Sequence, residues 1–200
     1  MESARVLLRC VVPALLAGLL LAGCFVQSLH PLYDEGGKEL ANDPSLPGTW
    51  LVDQGVDDHS ATLVITAGKD NLYDLKYTED GKTTALRAAL VQVGPQRYLD
   101  VWLDSLDQFS QITTAAEAHL LPAHSFWRIA LQGDSVSLAC LNYDRLKNSV
   151  ATGQVTLDRV AIKDDPIVLA ASPAQLREFL AKYGADPANF GEPLTFHRQK

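Results

Sequence analysis

Apolar and polar positions alternate with period two along most of this chain, and that alternation predicts strands. In Leu72 to Thr78, Tyr73, Leu75 and Tyr77 stand opposite Asp74, Lys76 and Thr78, the pattern of a strand with one buried face. A similar pattern marks Gly48 to about Asp53, Ala61 to Thr66, Thr83 to about Val93, Tyr98 to Leu103 and Ser135 to Leu141. It also marks a stretch beginning at His124 that sets Trp127, Ile129 and Leu131 on one face. Weaker strand signals occupy Val155 to Lys163, Ile167 to Ala170 and Leu194 to His197. Turns separate the segments at Glu79-Asp80-Gly81-Lys82, Gly94-Pro95-Gln96-Arg97 and Gly133-Asp134, and glycine supplies the positive φ such turns require.

Helical period appears clearly once. From Ser172 to about Tyr183, the residues Leu176, Phe179, Leu180 and Tyr183 form one apolar stripe, with Arg177, Glu178 and Lys182 on the water side. Ser172 and Gln175 make a capping box, Pro173 suits the first helical position, and Gly184 stands where the helix should stop. Asn142 to Asn148 reads as a short helical or turn excursion, and Asp104 to Ala118 as one long polar interval. About eight strands joined by tight turns, then one C-terminal amphipathic helix and a last strand, predict a mainly β protein. Its architecture is expected to be an antiparallel barrel or curved β-sandwich.

The beginning of the chain changes the picture. Arg5 and Arg9 precede an apolar run from Val11 to Leu21, broken only by Pro13 and Gly18. A basic start before such a run is a secretion signal, and it falls short of the about 20 apolar residues that a spanning helix needs. The sequence Leu21-Ala22-Gly23-Cys24 resembles the lipobox of bacterial lipoproteins. That resemblance implies removal of the signal peptide, residues 1–23, and acyl chains such as palmitate on Cys24. One acyl chain holds a protein to a bilayer marginally and two or three hold it durably. Phe25 in place of aspartate implies, by the sorting rule of Gram-negative lipoproteins, an outer-membrane anchor facing the periplasm. Residues 24–47, interrupted by Pro31, Gly36, Gly37, Pro44 and Pro47, are expected to be a tether, and residues 48–200 a single domain.

The formal net charge is −7 over 200 residues, and the basic residues are not clustered. A nucleic-acid partner is therefore not expected, because phosphate binding needs clustered Lys and Arg. Of three cysteines, Cys10 leaves with the signal and Cys24 is the lipid site. Cys140 alone remains, so no internal disulfide is expected. Alternation sets it beside Val136 and Leu138, where a thiol is inert.

Gly48-Thr49-Trp50 resembles the Gly-x-Trp signature of lipocalins, and the succession of strands, helix and final strand is similar too. The resemblance implies a lipocalin-like barrel in which an arginine of a late strand, Arg159 or Arg198, stacks over Trp50. The chain departs from that family in having no disulfide pair. A second resemblance covers more sequence: Cys24 to Tyr33, Asp43 to Trp50, His119 to His124, and Ser172 to Arg198 with Phe190-Gly191-Glu192-Pro193. These runs are similar to a group of uncharacterised bacterial lipoproteins, which implies a location and no chemistry.

Candidate chemistry is sparse. His119 and His124, with Asp100, Asp104 or Asp107, supply ligand types for a transition metal. Pro122 breaks a helix between the two histidines and their odd spacing splits a strand face, so only a loop brings them together. Asp57-Asp58-His59 has ligand chemistry on a polar loop without fixed geometry. Tyr98, Asp100 and Trp102 share the face opposite Leu99, Val101 and Leu103. Together with Trp127, Tyr98 and Trp102 are the candidate contacts for a small hydrophobic ligand held in a barrel of about eight strands, entered near the Asp104 to Ala118 interval. No nucleophile motif, phosphate loop or dinucleotide fingerprint occurs, so no cofactor is expected. The sequence thus predicts a non-enzymatic, lipid-anchored envelope protein that binds a small ligand or an envelope protein partner. A metal-dependent hydrolase using His119 and His124 is the alternative.

Overall fold

Eight antiparallel strands close into a barrel in the computed structural model, which describes residues 26–52, 61–108, 123–160 and 167–200. The elements are β1 (Gln27–Ser28), β2 (Gly48–Val52), β3 (Thr62–Ala67), β4 (Leu72–Glu79), β5 (Lys82–Val93), β6 (Gln96–Leu103), β7 (Ser125–Gln132) and β8 (Ser135–Cys140). They continue with α1 (Tyr143–Ala151), β9 (Arg159–Val160), β10 (Val168–Leu169), α2 (Pro173–Tyr183) and β11 (Leu194–Arg198). Strands β2 to β8 form a meander, and β11 slots between β8 and β2. That closure leaves the barrel no free edge. The expected lipocalin-like, mainly β fold is what forms.

Local sequence explains the hairpins. Asp80 and Gly81 both take positive φ, 49° and 72°, between the paired residues Glu79 and Lys82, which is the two-residue turn whose twist matches a right-twisted ladder. The capping box of α2 forms as the sequence predicts, with the Ser172 hydroxyl accepting from the Gln175 N–H. Gly184 ends that helix with φ −72°, so the left-handed region is not its purpose. A Cβ there would stand 2.1 Å from the Tyr98 hydroxyl; the glycine makes room for a phenol. The excursion after β8 is a full helix, α1, capped by the Asn142 side chain.

Two apolar layers result. Inside the barrel lie Trp50, Leu63, Ile65, Tyr73, Leu75, Leu90, Leu99, Ile129, Val136 and Phe196, all buried. The second layer covers the outer faces of β5 to β8. There Ala89, Val91, Val93, Tyr98, Phe126 and Ala139 meet Leu146 of α1 and Leu176, Phe179 and Leu180 of α2. This wall is therefore buried on both sides.

Residues 26–47 correct the expectation of a tether. Val26, Leu32 and Leu46 are buried, β1 pairs in parallel with β10, and the Ala41 N–H donates to the Leu90 carbonyl at 2.7 Å. Prolines and glycines prevent a long helix or strand in this segment but not docking, because its apolar residues fall singly onto the barrel. It is a strap that crosses the outer wall and then closes one end. Strand signal was also too generous in Val155 to Lys163: among the described residues only Arg159–Val160 pair.

Candidate functional site

The strap ends at the closed pole. Leu46 is buried against the barrel interior and accepts a hydrogen bond from Trp50 Nε1 at 3.0 Å. Of the two arginines the lipocalin resemblance offers, Arg198 takes the place over Trp50, with its guanidinium carbon 4.1 Å from the ring centroid. Arg159 lies exposed on β9 instead. The Arg198 fork also donates to the carbonyls of Pro47, at 3.0 Å, and Ser45. Tyr73 reaches the same pole from within, its hydroxyl accepting from the Asp43 N–H at 2.9 Å.

The opposite pole is different in kind. By register, the end of β2, the end of β4, the start of β5, the end of β6 and the start of β7 all meet there. Val52, Tyr77, Leu86, Val101 and Trp127 line it from the inner face and are only partly buried. Leu103, on the same inner face of β6, is 41 % exposed. Burial, and next the nearby Glu79 carboxylate, pushes the Tyr77 phenol up to about 12. The rim is thus apolar, while the barrel below it is filled by its own large side chains.

The three candidate ligand aromatics do not converge. Trp127 belongs to the rim, and its Nε1 donates to Ser125 Oγ at 3.0 Å. Tyr98 and Trp102 point outward from β6 into the layer under the strap and helices. Tyr98 is fully buried there and burial raises its phenol to about 12; its hydroxyl has no hydrogen-bond partner among the described residues. Trp102 lies beside His124, with ring centroids 5.2 Å apart, and Tyr33 and Arg87 flank it.

A polar pair sits on that same outer wall. Asp100, with no exposed surface, accepts from the Leu32 N–H at 2.7 Å and meets His124 Nδ1 at 2.6 Å. Burial pushes its carboxyl above the usual carboxylate range, and the hydrogen bonds from His124 and Leu32 oppose that shift. The His124 backbone bridges to Ser28 of the strap, N to O at 2.8 Å and O from N at 2.9 Å. Asp100 and His124 therefore pin the strap to the barrel. Sequence reasoning named both residues as candidate metal ligands; what it lacked was the bond from the Leu32 amide to Asp100, which no local pattern records.

Asp104 is instead close to Arg87, at 4.0 Å. His119, Cys24, Asp57, Asp58, His59 and the Asp107 side chain lie outside the described residues. Among the described residues no three metal-ligand side chains gather, and no helix is long and apolar enough to cross a membrane. Cys140 is a free thiol that burial pushes up, as its aliphatic neighbours predict. Compared with protein-family models, with curated proteins and with solved structures, the chain has no match.

Proposed function

We propose that this chain is a lipid-anchored envelope protein, moored through Cys24, whose barrel is a non-enzymatic scaffold that docks an envelope protein partner on its apolar rim. The observation that carries this reading is the contrast between the poles. Trp50, Tyr73, Phe196 and their neighbours fill the barrel from the closed end, which leaves the rim as the place for a hydrophobic contact. Leu103, one of the large apolar residues that stay exposed among the described ones, stands at that end beside the partly buried Val101 and Leu86. Exposed apolar surface of this kind marks interaction sites. The lipobox-like Leu21-Ala22-Gly23-Cys24 supports the envelope location.

Capture from envelope extracts, with the lipid intact, tests the proposal. A partner held by the wild type should be lost with Leu103→Glu and weakened with Trp127→Ala, while Trp102→Ala keeps it. Saturable one-to-one binding of the apolar dye N-phenyl-1-naphthylamine, competing with no protein, would instead favour a small hydrophobic ligand.

One observation favours the metal-dependent hydrolase as a second reading. A carboxylate on Nδ1 of a histidine is how proteins orient metal ligands, and Asp100 holds His124 in that way. Stoichiometric zinc in purified protein, lost with His119→Ala, is the result that would establish it.

A further inference from the structure

Between the acylated residue and the fold there is no slack. Val26 is 5 % exposed within the outer layer, and the Gln27 N–H donates to the Ile167 carbonyl at 3.0 Å. Only Phe25 separates Val26 from Cys24. Two residues of extended chain span roughly 7 Å, so the acyl chains cannot hold the barrel far from the bilayer. Whatever surface surrounds β1 must approach the lipid headgroups.

That surface is the small sheet β1-β10-β9. Ser28 and Leu169 form its inward row, both fully buried against the outer wall. Gln27, Val168 and Val160 are paired across the three strands and form the outward row. Val160 is 40 % exposed and Gln27 is exposed, at the two edges of that row, while Val168 between them is buried and Arg159, paired with Leu169, belongs to the other row. An apolar side chain at that edge reaches the boundary between headgroups and acyl chains.

We propose that the exposed edges of the small sheet's outward row, Gln27 and Val160, rest on the polar surface of the bilayer that holds the acyl chains of Cys24. The proposal builds on the lipid anchor proposed above and adds an orientation. The barrel lies against the membrane by its β7 side, and β3, across the ring from β7, faces away.

The test uses the full lipidated protein in vesicles of phosphatidylethanolamine and phosphatidylglycerol containing a doxyl-labelled lipid. A bimane fluorophore is placed at Val160→Cys or, for comparison, at Thr66→Cys on β3, each in a Cys140→Ser background. Quenching several-fold stronger at position 160 than at 66 is the expected result. Inserting a Gly/Ser linker of about ten residues between Phe25 and Val26, with a reach of roughly 17–19 Å, should remove the difference. Equal quenching at both positions, in protein that floats with the vesicles, overturns the orientation and leaves the anchor standing. Wild-type protein that fails to float overturns the anchor, and the orientation falls with it.

Discussion

Arg198 and Trp50 face one another across the β11–β2 ladder, directly paired in register, with the guanidinium 4.1 Å from the indole. The last strand thereby locks the first strand of the barrel and the strap segment ahead of it, because the same fork holds the carbonyls of Pro47 and Ser45. Gly48 makes the approach possible: its φ is +154°, and a Cβ would stand 2.2 Å from Arg198 Nη1. Arg198→Ala should cost about 2–4 kcal/mol, from a lost cation–π contact and lost charged hydrogen bonds. Arg198→Lys should recover little, since an ammonium cannot reproduce the fork, and Gly48→Ala should resemble Arg198→Ala. Denaturant midpoints of the three variants, with unchanged slopes, check this.

Tyr98 offers the opposite expectation. A buried hydroxyl without a partner costs stability that a phenyl ring of nearly the same shape does not. Tyr98→Phe should therefore be neutral or stabilising by about 1 kcal/mol, and it should leave partner capture unchanged. A marked loss of stability would mean that the hydroxyl has a bonded partner.

Much of this was legible in the chain, and the failures have physical causes. The clean alternation of Leu72 to Thr78 belongs to β4, whose Asp74 and Lys76 are exposed, so pattern and burial agree. In β5 the run Ala88-Ala89-Leu90-Val91 is buried on both faces, and such a continuous apolar run is itself the sign of a strand covered on both sides. The strap was not legible, because its partners are remote. Leu32 donates to Asp100 across 68 residues of sequence, and no local period records such a contact. For the same reason the rim could be anticipated only in part. Its alternation was visible at Val101 and Leu103, but which face turned inward depended on closure by β11.

The strap should depend on Asp100. Asp100→Ala leaves the Leu32 amide and His124 Nδ1 without their acceptor, a loss of about 2–4 kcal/mol. Its location should be diagnostic: hydrogen exchange should rise first at residues 26–34, before β2 to β8 respond. Arg177 holds the same stretch from α2, donating to the Leu32 carbonyl at 2.9 Å and to Asp34 at 2.8 Å. Adding Arg177→Ala should release the strap further than either change alone.

Acid should loosen the other end of the strap. The Ser45 hydroxyl, and then Arg97 at 2.5 Å, hold the Asp43 carboxyl below the usual carboxylate range. A carboxylate with a lowered folded value stabilises above its unfolded value of about 3.9 and loses that contribution as pH falls through the folded one. Wild type and Asp43→Asn should thus differ in midpoint at neutral pH and converge below about pH 4. A constant difference down to strong acid would show that the charge is not what matters.

Cys140 makes the closed state of the barrel measurable. Its side chain shares the inner face with Val136 and Leu138, and Gly191 lies against its sulfur. Burial raises the thiol above its ordinary value, and only the thiolate reacts with alkylating agents. Native protein near pH 8 should therefore be labelled by iodoacetamide far more slowly than protein unfolded in guanidinium. Because labelling requires opening near the rim, a bound partner should slow it again, whereas Trp127→Ala should speed it. Equal labelling rates in the native and unfolded protein would place the thiol in solvent and contradict the inward face of β8.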